Sequence, residues 1–167
     1  MLPDMFVAWM GGLGLIASNI AMHAIGLIWI TLMLQRLRSS ALRPGRSRWS
    51  LRRSAILALG MAGASLATLH ALEGVLWAVA YLAFGALDNA ADAILYSVDS
   101  MATRGGSGLM PDEPWRLMGA LEAMAGVLLF GLSTAYLFAV LQQIWPLILG
   151  HADLRSFRGE AEQRVSP

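Results

Sequence analysis

The stretch DNAADAILYSVDSMATRGGSG, residues 88–108, lies between two long apolar runs and decides how the chain is read. Its first part, 88–102, carries Asp88, Asp92 and Asp99, so it is too short and too polar to cross a bilayer. Asp88 or Asn89 can cap the start of a helix there. The glycine-rich segment TRGGSG, 103–108, follows without a break, and Pro111 and Pro114 punctuate a turn before Trp115 and Arg116. A short helix and an irregular loop between two apolar spans point to a segment that enters the membrane and returns. Irregular backbone at membrane depth is tolerated only where protein or a water-filled cavity surrounds it.

The flanking runs support a membrane class. The run 54–87 holds Glu73 as its one charge, and the run from Leu117 to Leu141 holds only Glu122. A further uncharged run extends from Phe6 to Leu34 and is long enough to span with tilt. Over 167 residues, 57% are hydrophobic and 14% are charged, with a mean hydropathy of +0.59. A soluble domain carries about a quarter charged residues, too many for this chain to match. Cysteine is absent, which excludes disulfides and thiolate chemistry. The N-terminus lacks the positive flank of a signal peptide.

Charge placement sets the expected topology. Arg36, Arg38, Arg43, Arg46, Arg48, Arg52 and Arg53 crowd the segment 36–53, with no acid among them. By the positive-inside rule this loop is cytoplasmic, near anionic lipid headgroups, and no nucleic-acid site is needed to explain it. The expected organisation is an additional transmembrane helix (1–35), the basic loop (36–53), a pore module (54–145) and a cytoplasmic tail (146–167). The pore module divides into an outer helix 54–87, a pore helix 88–102, a loop 103–108 and an inner helix 115–145. The N-terminus is expected outside and the C-terminus inside. One chain offers one such loop, so lining a pore calls for a symmetric oligomer.

Here the residues reach a resemblance. YSVDSMATRGGSG, 96–108, resembles the pore helix and selectivity filter of potassium channels, which read approximately S-x-x-T-x-T-T-x-G-Y-G-D. Ser97, Ser100, Ala102, Thr103 and Gly105 fall on that pattern, and Asp99 falls where some members place an acid behind the filter. Outside it, His70, Glu73, Trp77, Gly85, Ala86, Trp115, Arg116, the LEA at 121–123, Gly126 and the GLSTA at 131–135 are similar to a group of small bacterial channel-like proteins. The resemblance covers roughly residues 69–142. It implies an all-α integral membrane protein of potassium-channel fold, with three transmembrane helices and a re-entrant pore helix. It also implies a homotetramer in a bacterial inner membrane, a permeant inorganic ion as partner, and neither cofactor nor metal.

The departures from the pattern govern the functional expectation. The filter stands as Thr103-Arg104-Gly105-Gly106-Ser107, followed by Gly108. In the family, rings of backbone carbonyls replace the ion's hydration shell. The aromatic strut has become Gly106, the second glycine Ser107, and the acidic outer ring Gly108. A serine held at positive φ at that position costs on the order of 1 kcal/mol. Strict potassium selectivity is not expected to survive.

Arg104 has two readings. On an unchanged backbone it faces Asp99 behind the filter and forms a buried brace; on a turned loop four arginines ring the path, which suits anions. The brace is preferred because Asp99 is placed to receive it.

The other candidates support the filter. Arg116 is the natural partner of Glu73 or Glu122, as a structural ion pair. His70 lies one turn before Glu73, and Asn19 and His23 are one turn apart in the first span, suited to joining helices. Gly126 and Gly131 are open as hinges or as packing positions. Trp115 and Trp145 bracket the third span as interfacial anchors. No set of residues suggests an enzyme. The expected function is a channel subunit with altered selectivity, non-selective or anion-permeable. The rival is a non-conducting scaffold or regulatory subunit.

Overall fold

A computed structural model describes residues 2–41, 48–105 and 107–165. Four helices follow in order: α1 Leu2–Ala41, α2 Arg48–Ala83, α3 Ala90–Met101 and α4 Arg116–Val165, with no strand among the described residues. Segments within α1 (Asp4–Leu37), α2 (Trp49–Ala83) and α4 (Arg116–Trp145) are long and apolar enough to cross a membrane. Large apolar side chains stand exposed along them, including Phe6, Trp29, Ile56, Leu57 and Phe138. That outward apolar face suits lipid and would be a liability in water. The chain is a membrane-spanning, all-helical protein.

The three long helices form one bundle whose contacts stack along its axis. At one end Ala55 of α2 and Val140 and Ile144 of α4 meet Leu34 of α1. In the middle Ile30, Ala62 and Leu66 pack with Leu27, Tyr136 and Leu137. At the other end Ala8, Trp77, Tyr81, Met118, Leu121 and Ala125 make the largest cluster, and α3 joins there through Ala93 and Tyr96. Thus α3 lies at the end of the bundle away from the arginine-rich connection. Small residues permit close approach: a Cβ on Gly12 would meet Leu121, and one on Gly26 would meet Leu69.

Element boundaries differ from the sequence expectation in four places. First, α2 starts at Arg48, inside the expected basic loop, so Arg48, Arg52 and Arg53 are helical; Arg36 and Arg38 extend α1. Arg43 and Arg46 lie outside the described residues. Second, α2 stops at Ala83 and does not run to 87. Gly85 adopts φ +67, and its N–H and that of Ala86 bond to the carbonyls of Leu82 and Tyr81. This is a Schellman cap, with glycine where a left-handed residue is required. Third, α3 begins at Ala90, because Asn89 caps it by accepting from the N–H of Asp92 at 2.8 Å. Fourth, α4 continues through Pro146 and Gly150 to Val165, so the backbone of most of the tail is helical.

The seat of α3 depends on two glycines of α4. A Cβ at Gly126 would collide with the backbone carbonyl of Met101, and one at Gly119 with the hydroxyl of Tyr96. Packing therefore accounts for Gly126. Gly131, by contrast, has no atom within 4 Å of an added Cβ. Gly126→Ala is expected to destabilise by about 1–3 kcal/mol, since a backbone atom must move. Gly131→Ala is expected to be neutral or slightly stabilising, because a helical glycine costs roughly 0.5–1 kcal/mol against alanine. Thermal melting of both variants in detergent checks the contrast.

Candidate functional site

The loop after α3 is built on the end of that helix. The N–H of Thr103 bonds to the carbonyl of Ser100 at 2.8 Å, and that of Arg104 to the carbonyl of Asp99 at 2.9 Å. Thr103 sits at φ +56. This is a second Schellman cap, with a β-branched residue where glycine is usual. Positive φ also occurs at Gly105 and Gly108 but not at Ser107, the position where the filter pattern would place it. Gly106 lies outside the described residues.

Asp99 holds this loop from below. Its carboxylate is buried, and Oδ2 accepts the backbone N–H of Ser107 at 2.9 Å. Oδ1 lies 3.5 Å from Nε of Arg104. The two residues are therefore together, but the arginine side chain is 73% exposed and the pair is not the buried brace expected. Such a half-open pair contributes modestly to stability. The Ser107–Asp99 bond is the firmer brace. A pocket of about 220 Å³ opens beside it, lined by Tyr96, Asp99, Gly105, Ser107, Met110 and Arg116.

A second set of buried polar groups fastens α3 to the long helices. The Ser97 hydroxyl lies between the carbonyl of Gly74 (2.7 Å) and the carboxyl of Glu122. The Tyr81 hydroxyl donates to the other oxygen of Glu122 at 2.7 Å. All three side chains are fully buried. Glu122 thereby ties α2, α3 and α4 at one point. Tyr81 also meets Tyr96 edge-on at 5.1 Å.

The partners expected for the acids are different ones. Arg116 contacts neither Glu73 nor Glu122. It reaches Glu113 at 3.3 Å and the carbonyl of Pro111 at 3.2 Å, on the exposed turn before α4. Glu122 is satisfied by hydroxyls, and Glu73 turns to histidines. Nδ1 of His23 lies 2.7 Å from Glu73 Oε1, and Nδ1 of His70 lies 2.9 Å from Oε2. The His23 contact crosses fifty positions to α1, so no local spacing announces it. Trp115 stacks on Phe84 at 4.9 Å.

No protein-family model matches the chain, and no match was found among the curated proteins or the solved structures.

Two substitutions probe these supports. Thr103→Gly is expected to stabilise the chain by roughly 1 kcal/mol, by relieving a left-handed conformation on a branched residue. Ser97→Ala is expected to destabilise it by about 1–3 kcal/mol, because the Gly74 carbonyl and the Glu122 carboxyl lose the hydroxyl that lies between them. Detergent melting curves of the two variants should shift in opposite directions.

Proposed function

We propose that the chain is an ion-channel subunit of potassium-channel fold. In it α3 is a re-entrant pore helix and residues 103–108 form the constriction of a homotetramer. The observation that carries this is the depth of α3. Its Ser97 bonds to Gly74, nine residues from the end of α2, and its Met101 abuts Gly126, ten residues into α4. At 1.5 Å per residue both points lie about 15 Å along those helices. That is half of a hydrocarbon core about 30 Å thick. The loop then climbs back to Arg116, so irregular backbone lies at membrane depth and must face protein or water.

Further features support a ring of subunits. Ile94, Leu95 and Val98 form an apolar face of α3 left open by its own chain. Met101 is buried near Gly74 within its own chain. The resemblance of residues 69–142 to small bacterial channel-like proteins adds to this reading. With the basic connection inside, α3 enters from the outer face of the inner membrane and the C-terminus is cytoplasmic.

The filter chemistry implies weak selectivity. No aromatic strut or acidic outer ring is present in the sequence at 106 and 108. Arg104 leans on Asp99, which favours cation passage over an arginine ring. A second reading, a non-conducting scaffold, has one observation in its favour. The cap at Thr103 turns the loop at the position where a carbonyl-lined filter would begin.

Flux through liposomes separates these readings. The wild type is expected to pass potassium and sodium with little discrimination, and Arg104→Leu to retain that flux. Chloride flux that disappears in Arg104→Leu would establish the arginine ring and overturn cation passage. Silence toward every ion, from protein shown to be reconstituted, would leave the scaffold.

A further inference from the structure

Deep in the bundle, away from the loop, four polar side chains from three helices close a ring. His23 of α1 and Glu73 of α2 are fully buried, His70 of α2 is largely so, and Ser133 of α4 is 6% exposed. Around the ring, His23 Nδ1 approaches Glu73 Oε1 at 2.7 Å and His70 Nδ1 approaches Oε2 at 2.9 Å. On the far side, Nε2 of His70 and Nε2 of His23 lie 2.9 and 3.2 Å from the single Ser133 hydroxyl oxygen. Phe130 stacks on His70 at 4.4 Å and fixes the ring plane.

Counting hydrogens shows what this arrangement lacks. Two neutral imidazoles bring one N–H each, the serine brings one O–H, and an ionised carboxylate brings none. Four contacts thus share three hydrogens. The contact left over is identifiable: His70 Nδ1 and Glu73 Oε2 are 2.9 Å apart but without the alignment of a hydrogen bond, and both atoms are otherwise unpartnered and buried. A lone pair on nitrogen beside a carboxylate oxygen repels it unless a cation lies between them. A fourth hydrogen would answer the count, but it would need the alignment that is missing.

We propose that His23, His70 and Glu73 form a binding site for a divalent transition-metal ion of the zinc class. The donor atoms of these residues lie within 4.8 Å of one another. Bonds of about 2.0–2.2 Å to zinc put donors roughly 3.3 Å apart in a tetrahedron, so the nitrogen–oxygen separations of 2.7 and 2.9 Å need only open by a few tenths of an ångström. Two imidazoles and one carboxylate are a recognised zinc donor set, with a fourth position left for water.

Ser133 supplies the outer support. Its oxygen can accept from Nε2–H of both histidines, which leaves both Nδ1 atoms free to face the metal. Such hydrogen bonds orient ligating histidines and fix their tautomers. Binding would replace the proton that His23 shares with Glu73, and it would clamp α1 onto α2. The site includes no residue of the loop at 103–108, and the proposal does not rest on whether the protein conducts.

The test is a cobalt titration of the purified full-length protein in detergent after chelation, followed by zinc competition. One Co²⁺ per chain, with the visible absorption of a low-coordinate nitrogen–oxygen site bleached by Zn²⁺, is expected. Glu73→Gln and His23→Gln should abolish the bands, Ser133→Ala should weaken binding about 10–100-fold, and His151→Gln, which alters the remaining histidine, should change nothing. Zinc should also raise the melting temperature of the wild type. The wild-type titration needs no variant to fold: the absence of saturable cobalt bands overturns the site. So does binding that survives both Glu73→Gln and His23→Gln, or that is lost in His151→Gln.

Discussion

A helix that ends against other helices leaves its last carbonyls in need of partners, and the contacts around the end of α3 answer that demand. A backbone N–H or carbonyl buried without a partner costs free energy comparable to a lost hydrogen bond. The end of α3 meets the demand in two ways. Its last carbonyls are consumed by the Schellman bonds from Thr103 and Arg104, and the returning loop is caught at Ser107 by the carboxylate of Asp99. The left-handed conformation of Thr103 is the cost of closing that cap with a branched residue.

The same demand explains why Glu122 is buried without a cation beside it. Its two oxygens meet the hydroxyls of Ser97 and Tyr81, one on each neighbouring helix. A carboxyl group that holds two hydroxyls makes a three-helix joint with directional bonds. Apolar contacts alone provide little direction in a membrane, where lipid tails compete equally for them. Gly119 and Gly126 complete the joint by bringing the backbones of α3 and α4 close enough for those bonds to form.

Much of this organisation is written locally in the sequence, and the rest is not. The three apolar runs are legible from length and charge alone. Asn89 announces the start of α3, whereas Gly85 lies inside an apolar run that reads as helix to 87, and its left-handed conformation is what ends α2. Thr103 gives no such signal, because a branched residue is not the one a left-handed cap selects. The partner of Glu73 was illegible for a different reason. Arg116 is near in the expected pore module, whereas His23 belongs to a helix that looked like an appendage. Three groups able to ligate or titrate, spread over two apolar spans, were the available clue. The tail hid its helix as well, since Pro146 and Gly150 read locally as a stop.

The arrangement of α2 links the two polar centres. Glu73 and Gly74 are consecutive, so on a helix they point about 100° apart. Glu73 directs its carboxylate toward His23 on α1, while the carbonyl of Gly74 receives Ser97 from α3. Any rotation of α2 that relaxes the histidine ring must also move the acceptor under α3. Ser133 extends the linkage to α4, eleven residues beyond Glu122, so that α2 and α4 meet in polar contacts at both depths and α1 joins them at one. The first helix is thus a working part of the frame that positions the loop. A minimal two-span module cut from residues 54–145 would keep the joint at Glu122 but leave Glu73 facing a vacated imidazole.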